Sequence, residues 1–255
     1  MAIYIGVGDK AKKVVGGYAG LNGKAEIIYG GGSNLPSGYL PYTYLYKTSS
    51  SYDITFDILK VNNDWPYHFN TYTQVICDFQ IKKPYRSRYA NANIYQDLFA
   101  FNDSYSAYIY YPKNTTSGSD NIYRDCYLHI RKGNQFWTSS ESLQENITYN
   151  INMTKNDSGD CYFQNQKIFS TIESIGNSNS IEILGTGLSY GNDNDYGSIY
   201  LKGLRIYDLL EKKDRANLVP ANQTSGSVTS GLFDTISNNR FFSHSSTYIC
   251  TNNLS

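Results

Sequence analysis

The chain is short of the residues that build most enzyme sites and most helices. It holds only six glutamates, at positions 26, 141, 145, 173, 182 and 211. None of these belongs to a Glu-x-Asp-x-x-Glu motif, by which jelly-roll glucanases aim carboxylates into one cleft, and glycoside hydrolysis needs a carboxylate pair. Histidine occurs three times, as His68, His129 and His244. Formal net charge is +0 and the isoelectric point about 6.8, so the chain lacks the basic field of a nucleic-acid or anionic-membrane binder. Short basic runs such as Lys10-Ala11-Lys12-Lys13 read as solvated faces. No apolar run approaches the length of a membrane span. The start, Met1-Ala2-Ile3-Tyr4, lacks the basic-then-apolar form of a secretion signal, so the expected site of synthesis is a cytoplasm.

Four cysteines are present, and Cys77, Cys126, Cys161 and Cys250 stand too far apart for a metal or thioredoxin spacing. Their apolar neighbours favour buried free thiols over a disulfide. Asp53 and Asp57 share strand parity, but a solvated edge explains them better than a catalytic pair. His129 alternates with Leu128 and Ile130 and is expected on the face opposite the core or paired within a strand.

What is abundant is tyrosine, with 26 copies. Tyr, Ile and Thr favour strands, while the equally common Asn, Ser and Gly favour turns. Many short strands divided by polar turns imply a sandwich or jelly roll. Predicted strands include Thr43–Tyr46, Ile54–Leu59, Thr73–Ile81, Asp97–Phe101, Tyr105–Tyr111, Asp125–Arg131, Gly197–Asp208, Leu232–Asp234 and Arg240–Phe242. The one passable helix is Leu209–Asn217, with a charged loop as its alternative.

The first thirty residues carry a doubled phrase. Tyr4-Ile5-Gly6-Val7-Gly8-Asp9-Lys10-Ala11-Lys12 returns fourteen residues later as Tyr18-Ala19-Gly20-Leu21-Asn22-Gly23-Lys24-Ala25-Glu26. Each copy reads as a small hairpin around Gly8-Asp9 or Asn22-Gly23, and Asn-Gly is a strong hairpin signal because both residues tolerate positive φ. Neither hairpin can bury a core alone. The expected organisation is therefore a tandem hairpin module over residues 1–29, a Gly-rich linker over 30–34, and a sandwich over 35–255.

Several phrases resemble a known pattern. Leu35-Pro36-Ser37-Gly38-Tyr39, Thr73 to Gln80, Gly203-Leu204-Arg205-Ile206-Tyr207-Asp208, Arg215 to Ala221, Gly231-Leu232-Phe233-Asp234-Thr235-Ile236 and Arg240-Phe241-Phe242 resemble the concanavalin A-like (laminin-G-like) domains of tailed-phage structural proteins. The doubled opening is similar to tandem units at the start of phage virion proteins. The resemblance implies an all-β fold, a concanavalin A-like jelly-roll sandwich preceded by a small doubled β-hairpin module. It implies a structural protein on the virion surface, made in the bacterial host cytoplasm. Tyr4, Val7, Tyr18, Leu21 and Ile27 would anchor it to other virion proteins, of capsid or tail. It would be a homo-oligomer, trimeric if it forms a fibre, with no nucleic acid and no membrane insertion.

The sandwich would bind a host cell-surface glycan without catalysis, weak contacts being multiplied by many copies. Two other readings stand beside this one: a capsid decoration or head-fibre protein, and a polysaccharide depolymerase that the missing acid motif argues against. Sugars stack their apolar faces on exposed rings, so the expected ligand residues are Trp65, Tyr67 and Tyr190, with Asn192 and Asp193 supplying polar groups. Trp137 reads better as core. No cofactor is expected. Calcium is the one cation that the oxygen-rich run Gly191-Asn192-Asp193-Asn194-Asp195-Tyr196-Gly197 could take, through Asp193 and Asp195, although Asx-rich turns also form without metal.

Overall fold

The structure, a computed structural model, describes residues 4–7, 10–13, 17–21, 24–29, 35–47, 54–57, 73–82, 85–86, 94–102, 105–112, 122–123, 125–132, 135–154, 160–169, 180–184, 199–237, 240–243 and 248–253. These residues form strands and turns, with no helix among them. In chain order the strands are β1 (Tyr4–Val7), β2 (Lys10–Lys13), β3 (Gly17–Leu21), β4 (Lys24–Tyr29), β5 (Tyr39–Pro41), β6 (Tyr44–Lys47), β7 (Ile54–Asp57), β8 (Thr73–Ile81), β9 (Tyr85–Arg86), β10 (Ile94–Asn102), β11 (Tyr105–Tyr111) and β12 (Ile122–Tyr123). They continue as β13 (Tyr127–Lys132), β14 (Gln135–Thr138), β15 (Tyr149–Thr154), β16 (Cys161–Phe163), β17 (Gln166–Phe169), β18 (Ser180–Ile183), β19 (Ile199–Asp208), β20 (Lys213–Gln223), β21 (Thr229–Asp234), β22 (Arg240–Ser243) and β23 (Tyr248–Thr251).

Two large antiparallel sheets dominate among the described residues. The first is eleven-stranded, running β17-β16-β15-β8-β19-β20-β21-β22, with β5 on β20, β6 on β19 and β23 on β6. The second is six-stranded, in the order β14-β13-β11-β10-β18-β7. Three two-stranded sheets complete the set: β1-β2, β3-β4 and β9-β12.

Strand periodicity explains where the core lies. In β8, Val75, Cys77, Phe79 and Ile81 are fully buried on one face, because alternate residues of a strand point the same way. Register extends each position into a row. Met153, Val75, Ile206 and Ala216 form one, and Ile151, Cys77, Leu204 and Leu218 the next. A third row is Tyr149, Phe79, Leu201, Leu45 and Cys250. The six-stranded sheet contributes Ile183, Phe99, Ala107 and Ile130, paired in that order. Side chains from both sheets join one buried hydrophobic cluster. Each large apolar chain so buried stabilises the fold by roughly 1.5–3 kcal/mol. All four cysteines are buried with free thiols. Burial and the Asp78 charge push the Cys77 thiol well up, and burial raises Cys250 to about 11, so both are inert at neutral pH.

The passable helix at Leu209–Asn217 is corrected to a turn followed by β20. Asp208 decides this. Its Oδ1 accepts hydrogen bonds from the Leu210 and Glu211 amides at 2.9 and 3.0 Å, while Lys212 adopts φ 54°. The Arg215 guanidinium then donates to Asp208 Oδ2 at 3.1 and 2.7 Å, closing the turn from the returning strand. Such local carboxylate bonds compete directly with helix formation. Strand β20 contains Pro220, at the place where the flanking partner changes from β19, paired through Leu218, to β5, paired from Ala221. The missing N–H of proline therefore interrupts no ladder there, and the Pro220 carbonyl accepts from the Tyr42 amide at 2.9 Å.

The phrases from the two ends of residues 35–255 meet around β20 and β21. Pro36 to Tyr39 makes a turn closed by the Tyr39 amide on the Pro36 carbonyl at 3.2 Å, with Gly38 at φ 96° as a type II turn requires. The Tyr39 ring then lies 4.6 Å from Phe233 and 5.4 Å from Phe241, centroid to centroid. Fully buried Asp234 accepts from the Asn217 and Ile236 amides at 3.0 and 3.1 Å, and Arg240 stands 4.0 Å from its other oxygen. At Gly231 an added Cβ would strike the Phe242 carbonyl, lie 2.7 Å from Ser243 Cβ and 2.9 Å from the Phe241 ring. Only glycine lets β21 and β22 approach this closely.

Candidate functional site

The outward face of the six-stranded sheet follows from the same alternation that builds the core. In β11, Ala107 and Ile109 point inward, so Tyr108 and Tyr110 point outward. In β13, Leu128 and Ile130 are buried, which turns Tyr127, His129 and Arg131 to the other side. In β14, Trp137 packs against the core and Phe136 and Thr138 face out. Register brings the outward residues together. His129 stands between Tyr108 and Thr138, and Arg131 stands between Ser106 and Phe136.

The side chains form one cluster. The His129 imidazole stacks on Tyr108 at 4.6 Å and 19°, and meets Phe136 edge-on at 5.4 Å and Tyr110 at 6.2 Å. Its Nδ1 shares a 2.8 Å hydrogen bond with the Thr138 hydroxyl. Its Nε2 is shielded from solvent and has no hydrogen-bond partner among the described residues. Burial lowers the proton affinity of the ring, so His129 is neutral at pH 7. The Arg131 guanidinium lies over Phe136, 5.5 Å from its centroid, in cation–π range. Phe136 is 56% exposed on the edge strand.

Chemically, this is a platform. It offers an exposed ring, further rings packed beneath, a cation and hydroxyl groups. Glu141 and Glu145 are exposed in the segment after β14. No group of three or more His, Cys, Asp or Glu suited to a metal occurs among the described residues.

Of the residues expected from sequence, Trp65, Tyr67, Tyr190, Asn192, Asp193 and Asp195 lie outside the described residues. Tyr4 and Val7 pair with Lys13 and Lys10 in one hairpin, and Tyr18 and Leu21 pair with Ile27 and Lys24 in the other. The two hairpins are separate two-stranded sheets. Trp137 is partly buried against the core and its ring lies 5.9 Å from Phe163, as expected of a packing residue. The Tyr108–His129–Phe136 cluster was not among the expected sites. Its signal was present in the alternations Tyr108-Ile109-Tyr110 and Tyr127-Leu128-His129-Ile130-Arg131, which put polar aromatics on the face opposite the core.

The opposite surface, on the eleven-stranded sheet, differs in chemistry. Asn150 Nδ2 donates to Asp78 at 2.7 Å, and Gln80 Nε2 donates to the Thr148 hydroxyl at 2.8 Å. The buried Tyr44 hydroxyl donates to Gln80 at 3.2 Å, and Lys202 donates to the same Thr148 at 3.2 Å. These amides and hydroxyls bond chiefly to one another, which leaves them fewer free groups for a ligand. Compared with known proteins, the chain matches no protein-family model and no curated protein.

Proposed function

We propose that this chain is a structural protein exposed on the surface of a tailed-phage particle, and that its sandwich binds a host-surface glycan without catalysis. The observation that carries the binding half is the outward face of the six-stranded sheet, where Phe136 is exposed beside Arg131, His129 and Tyr108. A sugar ring stacks its C–H face on such an aromatic while its hydroxyls bond flanking polar groups. The virion half rests on the resemblance of the phrases around Tyr39, Asp208, Gly231 and Phe241. Two antiparallel sheets around one core support the concanavalin A-like jelly-roll reading of those phrases.

The two separate hairpins β1-β2 and β3-β4 favour a role for residues 1–29 in attachment. A two-stranded sheet has two edges whose backbone groups can extend a partner's sheet. The same observation supports a second reading, a capsid decoration protein whose sandwich has a purely structural role. Retention of the full-length chain on immobilised host-envelope polysaccharide separates the two. The adhesin reading expects retention that falls about tenfold in Phe136→Ala, a loss of the size expected for a buried contact residue. Absence of retention, or retention unaffected by that change, removes the glycan role from this face.

A further inference from the structure

We propose that His129 gates the aromatic platform of the six-stranded sheet, holding it assembled while the imidazole is neutral and releasing it on protonation. The proposal rests on the glycan reading for its ligand, but its structural half stands independently.

The geometry supplies the reason. The ring is fixed from two sides, by the Tyr108 stack at 4.6 Å and the Thr138 hydroxyl at 2.8 Å. Nε2 is enclosed and without a hydrogen-bond partner among the described residues, with the Phe136 and Tyr110 rings edge-on nearby. Neutral imidazole tolerates this, since only one nitrogen carries a hydrogen. Imidazolium must donate from both nitrogens, and an unsatisfied charged donor is costly to enclose.

Most of the groups facing His129 add to that cost or leave it unaltered. From β11 come Tyr108 and Tyr110, which are neutral at these pH values. From β14 come Thr138 and Phe136, which do not titrate. On β13 itself, Arg131 is a like charge on the same face, beside the Tyr127 phenol. Asp97 on β10 pairs with Tyr108, so it lies two strand spacings from His129, roughly 9–10 Å, about one Debye length away. The ring faces give a cation some relief, less than the water that burial removes. Burial correspondingly lowers the proton affinity of the imidazole, so the transition falls below the ordinary 6.5. The outcome expected on acidification is that the ring leaves the cluster to reach water, Phe136 loses its support, and ligand is released.

The test uses the full-length chain with two readouts from about pH 8 to pH 5, a window that brackets an ordinary histidine. The near-ultraviolet circular dichroism of the aromatic cluster is followed without ligand, and retention on immobilised polysaccharide is followed with it. His129→Gln and His129→Phe are compared, each checked for unchanged far-ultraviolet spectrum. A near-ultraviolet step below pH 6.5 in the wild type that is flat in both variants is the expected result, with retention falling about fivefold or more across the same step. A step that persists in both variants, or a wild type without a step, overturns the gate. Retention that stays constant through the step overturns its control of binding. If no polysaccharide is retained at neutral pH while the His129-dependent step is present, the glycan reading fails and the gate on this face stands.

Discussion

The junction around β20 and β21 and the outward face of the six-stranded sheet use their polar and aromatic side chains in opposite ways. At the junction one ring and two carboxylates are turned onto the fold. Tyr39 covers Phe233 and Phe241, Asp208 is clasped by Arg215, and Asp234 is enclosed by backbone donors. On the face, Phe136 is exposed and His129 keeps just beneath it a nitrogen with no hydrogen-bond partner among the described residues. Most of the sandwich phrases that resemble phage structural proteins map to the first region or its flanking strand β19, and the platform lies in a stretch matched only by strand pattern. The difference teaches that a recognisable phrase can owe its residues to a turn, a tight strand approach or an ion clasp. The fold is then legible from it, while the binding surface is carried by less distinctive sequence.

The sharpest way to break this comparison is at Gly231. Changing it to Ala drives Cβ into the Phe242 carbonyl and Ser243, and should cost about 3 kcal/mol or more, read as a lowered urea midpoint. A variant as stable as the wild type would mean that β22 is free to shift and the junction is loose.

Next is Arg215→Ala. The Arg215 and Asp208 side chains are only 7% and 10% exposed, so removing the cation strands a carboxylate in the turn. The expected loss is roughly 2–4 kcal/mol, moderated because Glu211 sits at a solvated rim. A pH series sharpens the same point. Burial opposes ionisation of Asp208, but the Glu211 amide and Arg215 outweigh it and hold its carboxyl below the usual range. A depressed carboxylate contributes stability that is complete above the unfolded-state value near 3.8 and is lost as pH falls through the folded-state value. Urea midpoints should thus drop below about pH 4 in the wild type, and that drop should shrink in Arg215→Ala.

A smaller effect is expected from His129. Because its folded-state value is lowered, the unfolded chain binds the proton first, and stability declines as pH falls through 6.5 toward the folded-state value. His129→Gln should remove that shallow decline in melting temperature. Smallest of all, Phe136→Ala should move stability by no more than about 0.5 kcal/mol, because the ring is exposed, while it weakens glycan retention. Destabilisation comparable to Arg215→Ala would show that the ring serves the fold and would erase the contrast between the two regions.

Much of the fold is legible in local sequence, and its gaps have physical causes. The Thr73–Ile81 strand shows its buried face directly, as Val75, Cys77, Phe79 and Ile81 alternate with the less buried or polar positions Ile76, Asp78 and Gln80. Strand β20 does not, because its first residues Lys213-Asp214-Arg215 are charged and Pro220 argues against a central strand. Both objections dissolve in three dimensions, where Asp208 takes up Arg215 and a change of partner strand accommodates the proline. Likewise β23 is a short run whose place is set by β6, two hundred residues earlier in the chain. The platform was illegible for a related reason. Reading exposed rings from polar neighbours selects loop residues such as Trp65, whereas Phe136, His129 and Tyr108 come from three strands and become neighbours only through register.

By itself the sequence determined strand character over much of the chain, the inward and outward parity of strands such as β8 and β13, and the want of a paired-acid motif. These follow from side-chain sterics, period-two geometry and composition, all of which act within a few residues. Tertiary structure alone decided which strands lie side by side. That choice merged separate inward faces into one core, closed the Asp208–Arg215 clasp, and gathered single aromatics from β11, β13 and β14 into a surface, because long-range pairing is selected by the total burial it achieves rather than by any one segment.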